Sequence, residues 1–182
     1  MDRNIKNEAW PKIIEGCKQK KKKYQEMLYQ RIAPKLFSIC LRYASDKQMA
    51  EDLLHDTFLK IFQKIDRYQE TGSFEAWMKK ICIYHALEVL RRKQKGYVKY
   101  VEVLPNTIVK KQEAIEKLSL QEIQKIIQKL PLGYRTVFNL YVIDDFTHQE
   151  IADTLNISVS TSKTQLRKAR LYLQKELLRI EK

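Results

Sequence analysis

A chain of 182 residues holds one ordinary domain or two small ones. Only four Gly and four Pro are present, and Leu, Ile, Lys, Gln and Glu dominate, a mix that favours helix and leaves few tight turns for a sheet. The formal net charge of +13 points to a polyanionic partner, nucleic acid or an anionic surface, while membrane insertion is excluded because no apolar run approaches the roughly 20 residues of a span.

Residues 1–24 read as a basic N-terminal extension. Its lysine run, Lys18 and Lys20 to Lys23, suits either a solvated helix start or a phosphate-contacting arm. The first residues are charged and lack the apolar stretch of a secretory leader, so a cytoplasmic protein is expected. From Tyr24 to about Tyr43, Leu28, Ile32, Leu36, Ile39 and Tyr43 recur at steps of three and four, which makes one helical stripe. Pro34 within it predicts a kink or a break. Ser45-Asp46-Lys47-Gln48 reads as a capping box with Ser45 as the N-cap. The next helix carries Leu54, Phe58, Ile61, Phe62 and Ile65 on one face and Glu51, Asp52 and Asp56 on another, near its positive end. After the turn Thr71-Gly72-Ser73, a third helix is predicted from Phe74 to about Lys93, with Phe74, Trp77, Ile81 and Tyr84 as its first stripe. Seven basic residues and one acid, Glu88, lie between Lys79 and Lys99.

Residues 96–115 lose the helical period and hold Gly96, Pro105 and Asn106, as a flexible linker does. A second module starts near Glu116, with Leu118, Ile123, Ile126, Ile127 and Leu130 at helical spacing. Pro131-Leu132-Gly133 interrupts it, and Tyr134 to Tyr141 forms a short helix with Val137, Phe138 and Tyr141 as its apolar face.

The stretch from Phe146 to Arg170 carries the most information. Thr147-His148-Gln149-Glu150 is a capping box that opens a short helix with Ile151, Ala152 and Leu155. Asn156-Ile157-Ser158 is a tight connection, and Ser158 can cap the next helix, Val159 to about Leu178. Two helices joined so closely, with the small Ala152 at their crossing, match the helix-turn-helix pattern. In the second helix Val159, Leu166, Ala169 and Leu173 can pack inward. Thr161, Lys163, Thr164, Gln165, Arg167, Lys168 and Arg170 populate the other positions, and no acid appears until Glu176. A recognition helix needs this arrangement, because its early side chains must reach base edges while cations meet phosphates.

The two halves together resemble the sigma-70 family, in its compact extracytoplasmic-function group. Ala50 to Phe62 looks like region 2.2, Gly72 to Met78 with the basic helix after it like regions 2.3 and 2.4, Leu130 to Tyr141 like region 4.1, and Asp153 to Arg170 like region 4.2. The chain departs from the family at Tyr84, where an Asn is frequent, and at Ser160-Thr161-Ser162, where Gly-Thr-Val is frequent. The resemblance implies an all-α protein of two small helical domains, over 25–95 and 116–182, on the flexible linker. It implies core RNA polymerase as partner, through its beta-prime coiled coil and beta flap, with Asp52, Leu53, Asp56 and Phe58 at the contact. Promoter DNA is the second implied partner. Phe74, Trp77, Lys79, Lys80, Tyr84, Arg91 and Arg92 would meet the −10 element, with the loop from Arg67 to Ser73 at the rim of a pocket for a flipped base. Ser160, Thr161, Lys163, Thr164, Arg167 and Lys168 would meet the −35 element. An anti-sigma factor is a further partner that two DNA-facing surfaces on a linker would allow.

No cofactor, metal site or catalysis is expected. Cys17, Cys40 and Cys82 are far apart in sequence, and neither they nor His55, His85 and His148 have metal-ligand spacing. A glycine loop for phosphate and a nucleophile elbow are both absent from the sequence. A helix-turn-helix regulator that never binds polymerase would show the same last helix, and binding to purified core polymerase separates the two.

Overall fold

The computed structural model describes residues 9–93 and 120–180, and all the regular structure among them is helical. The chain divides near residue 96 into two compact units. The linker expected over 96–115, and Glu116 and Leu118 beyond it, lie outside the described residues.

The first unit contains α1 (Trp10–Lys18), α2 (Lys22–Tyr43), α3 (Lys47–Lys64), a 3₁₀ turn (Ile65–Arg67) and α4 (Phe74–Lys93). Helix α2 is central and packs on each of the other three. The basic extension expected over residues 1–24 carries a packed helix from Trp10 onward, while Lys20 to Lys23 stay exposed at the start of α2. Pro11 starts α1, where its missing N–H is no loss, and Ile13, Ile14 and Cys17 are buried. Gly16 lets α1 close on α2: a Cβ there would lie 2.7 Å from the Cβ of Tyr24.

Helix α2 also overrides a local signal, since it runs from Lys22 to Tyr43 through Pro34 without a break. Pro34 faces outward, and Gln30, whose carbonyl loses its intrahelical partner to the ring, is exposed to water as well. The cap of α3 falls one residue later than expected. Asp46, not Ser45, has the extended backbone of an N-cap, and its carboxylate accepts from the Met49 N–H at 2.8 Å. Gln48 donates forward to Asp52 at 3.3 Å and does not reach back.

Helix α4 has the predicted bounds but a different buried face. Phe74, Met78, Cys82, Ile83, Ala86, Leu87 and Leu90 are buried, whereas Trp77 and Ile81 are half-buried and Tyr84 is 46% exposed. The helix contacts both α2 and α3, so its core face is wide and turned away from the Trp77–Tyr84 row. This packing brings Cys40 and Cys82, 42 residues apart, to an Sγ–Sγ distance of 3.5 Å.

The second unit contains α5 (Leu120–Gln128), α6 (Leu132–Phe138), a π-helical turn (Asn139–Ile143), α7 (His148–Leu155) and α8 (Val159–Ile180). Helices α5, α6 and α7 all pack on α8. Leu130, Tyr134 and Ala169 form one core cluster, with Ile127, Phe138, Tyr172 and Leu173 against it. The end of α5 is closed by the buried Arg135, whose guanidinium donates to the Gln128 carbonyl at 3.1 Å. The helix expected over Tyr134–Tyr141 starts two residues earlier and widens at Asn139, so Tyr141 is exposed (37%) and is not a core residue.

Candidate nucleic-acid interface

Three local devices set α8 against α7. Thr147 and Glu150 form the reciprocal capping box at the start of α7. Asn156 then takes the left-handed conformation (φ 54°, ψ 51°) that ends α7, a region asparagine enters more readily than most residues. Ser158 Oγ accepts from the Thr161 N–H at 3.0 Å and starts α8.

On α8, Ser162, Leu166 and Ala169 are buried, spaced four and three residues apart. Val159, expected inward, is only half-buried, and Ser162 takes the inner position, hydrogen-bonded to Nδ1 of His148 at 2.9 Å. The His148 ring also stacks on Tyr141 with centroids 4.3 Å apart. Burial and the cations Lys163 and Arg170 hold that imidazole below its ordinary pKa. The opposite side of α8 is exposed at Ser160, Lys163, Thr164, Arg167 and Arg170. Ser160, Thr164 and Arg167 fall in one row. Thr161 and Lys168 are half-buried. The Ser160 and Thr161 hydroxyls each lie 2.8 Å from Ser158 Oγ, so they belong to the helix start. Lys168 leans back, its Nζ 5.9 Å from the centre of the Tyr134 ring. Glu176, the first acid along the helix, is held by Lys129 at 3.3 Å and Arg179 at 2.6 Å, remote from the cations of the first turns.

On α4, Lys79, Lys80, Tyr84, Arg91 and Arg92 are exposed. Trp77, Lys80, Tyr84 and Arg91 recur at helical steps and form an aromatic and cationic strip. Arg92 pairs with Glu88 at 2.6 Å. Phe74 requires a correction: it is only 4% exposed, a core ring that a base cannot reach directly. Trp77 stacks on it at 5.5 Å with 15° between the planes, and Tyr68 approaches both rings.

On α3, Asp52 and Asp56 are exposed one turn apart. The apolar members of that expected contact, Leu53 (2% exposed) and Phe58 (4%), are core residues, because α3 turns them toward α2 and α4. The exposed apolar side chains nearby are Leu59 and Tyr29, the Tyr29 ring lying 4.6 Å from Phe58. Behind Asp56 sits His85, which the sequence did not single out. It is 7% exposed, with Nε2 3.6 Å from Asp56 and Nδ1 3.7 Å from Glu88. Burial, then the Lys60 ammonium, lowers its pKa, against the pull of the two carboxylates.

The three thiols are buried. Burial pushes Cys17 up to about 11, and the contact with Cys82 followed by burial pushes Cys40 up as well, so neither is a ready nucleophile. Among the described residues no group of three or more His, Cys, Asp and Glu could hold a metal ion, and no helix is long and apolar enough to cross a membrane.

Comparison with known proteins places both units. Residues 28–96 match the family model for Sigma-70 region 2, and residues 120–173 match that for Sigma-70, region 4. The ECF RNA polymerase sigma factor SigW of Bacillus subtilis is 29% identical over 156 residues, 79% of this chain and 83% of that protein. Among solved structures, the sigma factor RpoE of Bartonella quintana, in complex with the anti-sigma factor NepR, shares the fold with a TM-score of 0.53 at 24% identity, covering 87% of this chain and 97% of that one. CnrH, in complex with the cytosolic domain of CnrY, gives a TM-score of 0.50 at 19% identity over 91% of this chain and 94% of that one.

Proposed function

The chain belongs to the sigma-70 family, in its extracytoplasmic-function group and with a role in transcription initiation, and on that premise we propose that it binds core RNA polymerase, recognises the −35 and −10 elements of a promoter and helps to melt the DNA. One observation carries the reading. Each family-matched unit bears one long helix whose core face is filled and whose outer face is cationic: α4 with Lys79, Lys80, Tyr84 and Arg91, and α8 with Lys163, Thr164 and Arg167.

In this reading α8 lies in the major groove of the −35 element. Arg167 reads a base edge, Lys163 and Thr164 assist, and Lys168, Ser160 and Thr161 line its flank. The −10 element meets α4. Trp77 and Tyr84 offer ring faces to separated bases, Lys79, Lys80, Arg91 and Arg92 face the backbone, and Phe74 supports Trp77 from behind. The exposed loop after Arg67 rims the pocket for a flipped base. Asp52 and Asp56 contact the beta-prime coiled coil of polymerase, and the second unit contacts the beta flap. The domain limits at 25–95 and 116–182, and an anti-sigma factor that covers these surfaces, belong to the same proposal; SigW supports it as a sigma factor, and RpoE, which shares the fold, was solved in complex with an anti-sigma factor.

Reconstituted run-off transcription with purified core enzyme tests the reading. The chain should bind core without DNA and direct transcripts from a discrete set of start sites. A chain that binds duplex DNA but leaves core polymerase alone would instead be a plain helix-turn-helix regulator.

A further inference from the structure

Trp10 belongs to α1, ahead of the residues that match the region 2 model. Ile13, Ile14 and Cys17 already fill the buried face, at 0%, 5% and 2% exposure, and Trp10 is left half-buried at the rim. Its ring meets the edge of Phe74 at 5.4 Å and 70°. The guanidinium of Arg31, from α2, lies 4.0 Å from the centre of the same ring. Trp77 stacks on the Phe74 ring, and Tyr68, 4.9 Å from Phe74 and 5.4 Å from Trp77, donates its hydroxyl to the Gly72 carbonyl in the exposed loop before α4. Helix α1 also packs on the 3₁₀ turn that feeds this loop. Both tryptophans of the chain thus gather in one cluster of four rings at the entrance to α4.

We propose that Trp10 is a positioning residue of a single-strand-binding site: it holds Phe74, and through it Trp77, at the angle at which Trp77 receives an unstacked base, while Arg31 sets a cation beside the rings. The inference rests on the reading that α4 meets opened DNA. A ring cluster built only as core would be buried throughout, but Phe74 alone is; Trp10, Tyr68 and Trp77 are half-buried. Half-exposed rings flanked by arginine are what single-stranded nucleic acid recognises, since every base has a face to stack and a phosphate to neutralise.

The test is a fluorescence titration of the full chain with a mixed-sequence DNA of about 12 nucleotides, single-stranded and then as duplex. Emission reports on this cluster alone, from Trp77 in Trp10→Phe and from Trp10 in Trp77→Phe. Single strands should quench Trp77 in Trp10→Phe with the wild-type midpoint. By anisotropy of a labelled strand, Trp10→Ala should raise the single-strand midpoint about tenfold and leave duplex binding unchanged. If Trp10→Ala does not fold, Trp10→Leu, which keeps bulk and loses the ring, takes its place against Trp10→Phe. A single-strand midpoint that stays put, or single-strand and duplex binding that weaken together, would overturn the proposal and leave Trp10 a packing residue. A wild-type chain that binds duplex but no single strand removes the α4 reading itself, and this inference with it.

Discussion

Arg167 and Lys168 look equivalent in the sequence, as adjacent cations of one helix. The structure separates them: Arg167 stands in the exposed row with Ser160 and Thr164, and Lys168 is half-buried, leaning toward Tyr134. Replacing both, Arg167→Ala with Lys168→Ala, should weaken promoter binding, with most of the loss on Arg167. One guanidinium on a guanine edge is worth about 1–3 kcal/mol, roughly a fivefold to 150-fold change. Unchanged transcription from the native promoter by the double variant would remove α8 from −35 recognition. His85 yields a prediction in pH. Its folded pKa is lowered by burial and by Lys60, so the unfolded chain takes up the proton first as pH falls below about 6.5. The stability tied to the neutral ring is therefore complete above that pH and is lost toward the lower folded value. His85→Leu should flatten the fall in the melting temperature of the first unit between neutral and mildly acid pH, by calorimetry. Parallel slopes for wild type and variant would show that another group governs it.

At the scale of elements, α1 is the instructive case. Trp10, Ile13, Ile14 and Cys17 follow helical steps that a reader can find, but the segment is short and ends in lysines, so charge outweighs period. Tertiary contact decides it: α2 offers a surface for Ile13, Ile14 and Cys17, and Gly16 permits the approach. Gly16→Ala should push α1 off α2, because the new Cβ meets the Tyr24 ring and also its Cβ at 2.7 Å, and that Cβ cannot move without shifting backbone. A loss of about 1–3 kcal/mol in denaturant unfolding is expected, the usual cost of overpacking. An unchanged midpoint would mean that the α1–α2 contact gives way freely. Pro34 shows the same principle in reverse. A strong local breaker is tolerated because its ring and the carbonyl it orphans both face water, while Leu28, Ile32, Leu36 and Ile39 hold the helix to its neighbours. The turn at Thr147 and the stop at Asn156 were legible, by contrast, because their chemistry is local.

For the whole molecule the governing quantity is charge. A net +13 on a chain with two cationic helix faces should make promoter binding fall steeply between roughly 50 and 200 mM salt, with a log–log slope near −0.9 for each phosphate neutralised. Lys79→Gln with Lys80→Gln should lower the magnitude of that slope by about 1–2 without changing which duplex is preferred, since contacts to phosphate carry no sequence information. Promoter affinity that does not respond to salt, measured by fluorescence anisotropy, would contradict binding through these faces.

Helix periods, caps at Thr147 and Ser158, the tight turn between α7 and α8 and the cationic runs are properties of neighbours in the chain. The sequence alone therefore determined the helical class, the helix-turn-helix and the order of the two modules. Facing and burial were decided by tertiary structure. Nothing in the order of residues says that α4 turns Tyr84 outward while Phe74 of the same stripe stays inside, that Leu53 is spent on the core, that Ser162 meets His148, or that Trp10 closes on Phe74. A half-apolar helix can bury more than one face, and only the surfaces packed against it select which.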